Sequence, residues 1–209
     1  DKSGENKRTD NCVTWIWKGM CVIAVEVFEG DLKELVPWIE STLSTYGVPF
    51  RNFAFDANNV GYYLKSFTAG IPIIGQSRVM TEYDEAGNII QLGSHYNLRT
   101  QLMSKMKVLL ETGQISCIVD KHKKFPHGKN KLDKGLMDIL LEEMNIFLLD
   151  KKSGKNYYRS KDEYIARFKS SPDFMDSFVY RAVFALDARP RKEVEAEFVE
   201  SDYAALYQW

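Results

Sequence analysis

Cysteine is scarce in this chain: Cys12, Cys21 and Cys117 are three in 209 residues. They are far apart, odd in number and form no C-x-x-C pair. That excludes a disulfide framework and a thiolate zinc site, and it fits a reducing compartment. Histidine is equally sparse, and His95, His122 and His127 lack zinc-ligand spacing. No glycine-rich phosphate loop occurs. The Gly128-Lys129 and Gly154-Lys155 steps have neither the upstream glycine nor the following hydroxyl, so a nucleotide-driven motor is excluded. The formal net charge is -1. No global basic excess announces nucleic acid, and any such contact must come from local patches. No apolar run is long enough to span a bilayer and no stretch resembles a signal peptide. The most apolar segment, residues 21–27, is strand-sized. A cytosolic location without membrane contact is expected. Internal repeats and low-complexity tracts are missing too.

What is present is the composition of an ordinary globular domain. Hydrophobic residues make up 44%, charged residues 27% and aromatics 13%, enough apolar surface to fold. Two β-branched and aromatic runs, residues 12–17 and 20–28, are separated by Lys18-Gly19, a hairpin signal. From Asp31, Leu32, Leu35, Val36, Ile39 and Leu43 fall on one helical face, which Gly47 closes. Residues 51–55 form a short strand ending at Asp56. A short helix over 61–67, a buried strand over 71–75 and a loop or hairpin over 81–91 follow. The longest helical pattern spans 96–112. Residues 115–119 are a strand, 121–135 a lysine-rich loop and 136–145 a helix. Segments 146–149 and 157–159 flank a basic hairpin tip, and helices follow over 161–169 and 171–187. A hairpin leading into strand–helix units predicts an α/β domain with a mixed antiparallel and parallel sheet and helices on both faces.

The chemistry candidates are acidic. Asp1 and Asp10 flank the polar opening segment. Asp56 follows the apolar Phe53-Ala54-Phe55, at the carboxyl edge of a strand, where open α/β sheets place their sites. Asn58-Asn59-Val60-Gly61 suits a tight turn. Ser171-Pro172-Asp173 reads as N-cap, N1 and N2 of a helix, and Asp176 shares its face with Asp173. A hard divalent cation takes such oxygen ligands. Two of them roughly 4 Å apart activate a water and stabilise the leaving oxygen of a phosphodiester. Singly, such an acid is more often a turn, cap or solvated residue than a ligand.

As an ordered set, these residues resemble the nuclease domain of tailed-phage terminase large subunits over nearly the whole chain. Asp1 through Asp10, followed by the hairpin, is similar to the family's opening. Asp56-Ala-Asn-Asn-Val-Gly61 resembles its second acid and glycine turn. Asn97-Leu-Arg99-Thr-Gln101 is similar to its middle helix. Ser160-Lys161-Asp162-Glu163 and Ser171-Pro172-Asp173-Phe-Met-Asp176 resemble its closing motifs. Asn59 departs mildly, standing where the family often has glycine, and the strand that leads to the first acid would precede Asp1. The resemblance implies a ribonuclease H-like fold over residues 1–190. It implies a metal core of Asp1, Asp56 and Asp173 with Asp10 and Asp176 auxiliary, and two divalent cations, magnesium or manganese. The choice between Asp173 and Asp176 as principal ligand stays open. It further implies double-stranded DNA as substrate. The ATPase domain, small subunit and portal would be partners in the cytoplasm of a bacterial host.

DNA contacts are expected from Lys121, Lys123, Lys124, Lys129 and Lys131 in the basic loop 121–135. Lys151, Lys152 and Lys155 of the hairpin 146–159, and Arg99, complete the set. The rival reading of the lysines is solvated loops, and of Arg99 an ion pair with a nearby acid. Residues 191–209 form a separate acidic, aromatic-ended tail. Trp15, Trp17 and Trp38 fit core packing. Two rival functions share these features. One is another ribonuclease H-like nuclease, resolvase or integrase-like; the other is a catalytically inactive prophage DNA-binding module.

Overall fold

The computed structural model describes residues 12–58, 64, 69–84, 86–90, 94–128, 131–158, 160–168 and 170–186. Its centre is a hairpin. β1 (Cys12–Lys18) and β2 (Cys21–Phe28) pair antiparallel, with a register shift between Ile16 and Trp17. Gly19 takes the turn at φ 60°, a left-handed angle that side chains disfavour. β2 also pairs in parallel with β7 (Ser116–Cys117). β3 (Ala54–Asp56) and β4 (Ile71–Ile73) form a second, parallel pair.

Side-chain alternation along these strands feeds two apolar clusters on opposite sides. The larger gathers Val13, Trp15, Val22 and Val25 under α2 (Leu98–Glu111) and the helices that follow it. The smaller packs Leu35, Ile39 and Leu43 of α1 (Leu32–Thr45) against Phe53 and Phe55. The architecture is therefore mixed α/β, with parallel and antiparallel strands and helices on both sides, as expected. α2 starts two residues later than its periodicity predicts, because Asn97 caps it: Asn97 Oδ1 accepts the Thr100 amide at 3.0 Å.

Several boundaries differ from the sequence reading. The lysine-rich loop holds a hairpin, β8 (Lys124–His127) with β9 (Leu132–Gly135). Segment 81–91, by contrast, is the hairpin offered as one of its two readings, with β5 (Glu82–Tyr83) paired to β6 (Ile89–Ile90). α3 (Leu136–Glu143) gives way to a 3-10 turn over Met144–Phe147, not to a strand. The basic tip is itself strand, β10 (Leu149–Lys152) and β11 (Lys155–Tyr158). Its turn is Ser153-Gly154, both at positive φ. After α4 (Lys161–Phe168), the single helix expected over 171–187 is two: α5 (Asp173–Val179) and α6 (Ala182–Leu186), broken at Tyr180-Arg181. The helix expected over 61–67 lies outside the described residues except for Leu64, as do Asp1, Asp10, Asn59, Lys129 and the acidic tail.

α5 is anchored from two directions. Trp15 Nε1 donates to the Phe174 carbonyl at 2.9 Å and to Ser177 Oγ at 3.1 Å. Phe178 packs edge-on to the same indole, 5.0 Å between centroids. A buried indole N–H needs such partners, and here they fix α5 to the central hairpin.

Candidate metal centre

Asp56, Asp173 and Asp176 line one cleft of about 1300 Å³, together with Lys161, Lys131 and Tyr180. β3 brings Asp56 to the cleft as the last residue of the strand. Its carboxylate is exposed, and Oδ1 accepts the backbone N–H of Asn58 at 2.8 Å and its side-chain amide at 2.9 Å. The Tyr180 hydroxyl hydrogen-bonds Asp56 from the break after α5. Burial, and then the Asp176 and Asp56 charges, push that phenol well above its ordinary range.

α5 supplies the other two carboxylates, with a start one residue later than expected. Pro172 is the N-cap and Asp173 the first helical residue. The Ser171 hydroxyl does not cap an amide; it donates to Asp173 Oδ1. Lys161 Nζ reaches the same oxygen at 3.1 Å. Lys161 is placed by a capping box, in which the Glu163 amide donates to Ser160 Oγ at 3.2 Å and the Ser160 amide to Glu163 Oε2 at 2.9 Å. Asp173 is buried, 7% exposed. Asp176 pairs with Arg99 Nη2 at 3.1 Å across from α2. The Cys12 thiol borders the cleft too, pushed up to about 11 by burial and the Asp173 charge.

Each carboxylate thus faces a hydrogen-bond donor or a cation from a neighbouring side chain. An all-oxygen set of this kind suits a hard divalent cation rather than a soft one. Among the described residues no three His, Cys, Asp or Glu side chains lie close enough together to hold one ion. Asp56, Asp173 and Asp176 share the cleft without closing a cage, and Asp1 and Asp10 lie outside the described residues.

The lysines are less uniform than their sequence suggests. Lys121, Lys124, Lys151, Lys152 and Lys155 are exposed. Lys123 turns its ammonium to the Val25 carbonyl at 3.3 Å and over the Phe125 ring. Lys151 donates to Asn156 at 2.7 Å, and Lys152 lies over Tyr96 and Tyr157. Lys131 borders the cleft, at φ 47°.

Sequence reasoning missed a buried polar group beneath α5. His127, expected in a surface loop, is 7% exposed, and Glu143 is 0% exposed. The signal for Glu143 was there: it follows Leu136 and Ile139 at helical spacing, on the buried face of α3. Among the described residues no helix is long and apolar enough to cross a membrane.

No family model matches the sequence, and no curated protein is similar to it by sequence. Solved structures are similar to it in fold. One is a point variant of the nuclease domain of the large terminase subunit gp2 of bacterial virus Sf6, with manganese and beta-thujaplicinol. It matches with a TM-score of 0.65 at 16% identity, over 84% of this chain and 83% of that one. A variant of the same subunit with calcium gives 0.65 at 15% identity, over 84% and 83%. The nuclease domain without a named substitution gives 0.60 at 16% identity, over 78% of each chain. The chain has the fold of that domain, the ribonuclease H-like fold expected from its sequence.

Proposed function

We propose that this chain is the nuclease of a phage DNA-packaging terminase, a metal-dependent endonuclease that cuts concatemeric double-stranded DNA. The observation that supports the reading best is the meeting of Asp56, from a strand end, with Asp173 and Asp176, from one helix, in a single cleft. The fold around them is that of a terminase nuclease domain. Related structures with manganese or calcium support divalent cations as cofactors. The reading includes two such ions, magnesium or manganese. Bound there, they supply Lewis acidity toward a water nucleophile and the departing 3′ oxygen of the phosphodiester.

The chain's own residues do the rest. In this reading Asp1, Asp56 and Asp173 are the metal-binding core, and Asp10 and Asp176 are auxiliary oxygen donors. Lys161 pairs with Asp173 and Arg99 with Asp176, fixing where the two carboxylates sit. Lys121, Lys124, Lys129, Lys131, Lys151, Lys152 and Lys155 contact phosphates, with Lys123 closer to the body. Such contacts give affinity without base readout. The ATPase domain, small subunit and portal are its partners in the bacterial cytoplasm.

The test is cleavage of supercoiled plasmid with manganese, magnesium or EDTA, comparing the parent with Asp56→Ala and Asp173→Ala. Metal-dependent nicking and linearisation, lost in both folded variants, is the expected result. A folded parent that binds DNA but never cuts it would leave a non-catalytic DNA-binding module in its place.

A further inference from the structure

The helix that presents Asp173 and Asp176 has no side-chain cap of its own. Its N-cap is Pro172, and the neighbouring Ser171 hydroxyl is engaged with the Asp173 carboxylate. The first amides of any helix lack internal acceptors. In α5, the Asp176 amide donates to the Pro172 carbonyl at 2.9 Å, closing the first turn. The Met175 amide is satisfied from another element: Glu143 Oε2, at the end of α3, accepts it at 2.7 Å. Met175 stands between the two cleft carboxylates in the chain. A bond at its amide therefore pins the turn from which both side chains project.

The other side of Glu143 explains how its carboxyl group is seated. Glu143 Oε1 is buried without a hydrogen-bond partner of ordinary geometry, as is His127 Nε2. His127 Nδ1 lies 3.5 Å from Glu143 Oε1, and His127 Nε2 lies 3.5 Å from Glu142 Oε1. Lys134 in turn holds Glu142. One arrangement of protons engages every atom of this row. A neutral Glu143 donates from Oε1 to His127 Nδ1, and a neutral His127 donates from Nε2 to Glu142. Burial favours both neutral forms, raising the Glu143 acid and lowering the His127 base. Charged Glu143 would leave its buried carboxylate opposed by Asp173, Asp176 and Glu142.

We propose that Glu143 is a positioning residue for the cleft: its buried carboxyl group caps α5 at the Met175 amide and, seated by His127, sets the direction in which Asp173 and Asp176 enter. The consequence for metal rests on the nuclease reading above; the cap itself does not. In this role Glu143 touches neither metal nor DNA. It acts as a neutral hydrogen-bonding group, and glutamine has the same pattern: a carbonyl oxygen for Met175 and an N–H for His127. Leucine fills similar volume with neither.

The experiment compares the full chain with Glu143→Gln and Glu143→Leu. Amide hydrogen exchange at Met175, manganese titration by calorimetry, and plasmid cleavage against manganese concentration are the readouts. Glu143→Leu should exchange Met175 about tenfold faster or more and raise the half-saturating manganese concentration by a similar factor, the size of one buried hydrogen bond lost. Glu143→Gln should stay near the parent in all three. If Glu143→Leu does not fold, His127→Leu takes its place, since it leaves the acceptor and removes its seat; faster exchange at Met175 is expected there too.

Unchanged protection of Met175 in the leucine variant overturns the proposal. So does a glutamine variant that loses manganese as severely as the leucine one while Met175 stays protected, because the carboxylate would then act as a ligand. A parent that neither binds manganese nor cuts would end the nuclease reading alone. Exchange at Met175 would still decide whether Glu143 caps α5.

Discussion

At the scale of single residues, acids differ here by what surrounds them. Asp56, Asp173 and Asp176 were legible because each follows a strand end or opens a helix, where a carboxylate has a local reason to be. Of their partners only Arg99 was anticipated, as an ion pair with a nearby acid set against its DNA reading. Lys161, Arg99 and Tyr180 come from other elements, and only the fold brings them near. Glu143 is the opposite case: a carboxyl group on a buried helical face, hidden by the habit of reading glutamate as surface. Its proton is held more tightly in the folded chain than in the unfolded one. The native state therefore binds more protons above the usual value of 4.5, and this group's contribution to stability is full below that pH and declines as pH rises. His127 works the other way, with its contribution full above the usual 6.5 and lost as pH falls, because burial keeps it neutral. Glu143→Gln removes the first effect only. Its stability relative to the parent should rise in urea unfolding as pH is raised above the usual value of 4.5. Parallel curves for the two proteins would mean that Glu143 titrates as it does in the unfolded chain.

At the scale of elements, the elements with local punctuation were the readable ones. The β1–β2 hairpin announces itself with Gly19, and α2 with its apolar periodicity closed by Gly113. The β8–β9 hairpin has Gly128 at its turn, at φ 71°, but its strands contain no β-branched residue and bury only Phe125 and His127, so they do not read as strands. The break between α5 and α6 has no glycine or proline to mark it. There the chain turns while Tyr180 reaches Asp56 and Arg181 donates to the Gly19 carbonyl at 2.9 Å, a choice made by tertiary contact. The β3–β4 pair depends on close approach. A Cβ on Gly70 would sit 2.6 Å from the Phe53 carbonyl oxygen, beside the Ile71-to-Phe53 ladder bond of 2.7 Å. Backbone cannot yield as a side chain does. Gly70→Ala should therefore destabilise the chain by about 1–3 kcal/mol in denaturant titrations, and it should weaken manganese binding through the shifted end of β3. Wild-type stability in that variant would show that the two strands part freely.

For the whole molecule, charge is nearly balanced, with a net charge of -1, while exposed lysines concentrate on the segments around β8, β10 and β11. Affinity for DNA should then be steeply salt-dependent despite the neutral total. Replacing Lys124 or Lys155 with alanine should each lower the slope of log affinity against log salt by about 0.9. Lys123→Ala should lower it less, since that ammonium already sits on the Val25 carbonyl. Equal slopes for all variants, measured by fluorescence anisotropy from low to moderate salt, would exclude these faces from the contact.

The two apolar clusters have a consequence for how such a molecule fails. Asp173 and Asp176 are mounted on the larger cluster, while the strand that ends at Asp56 is shared, with Ala54 packed against the larger cluster and Phe55 buried in the smaller one. Cooperative units of unequal size seldom open together. On heating, loss of the lesser unit should free the Phe55 side of β3 and displace Asp56 from α5 while most of the helical signal persists. A warm sample should then still look native to a spectrometer after the two sides of the cleft have lost their register.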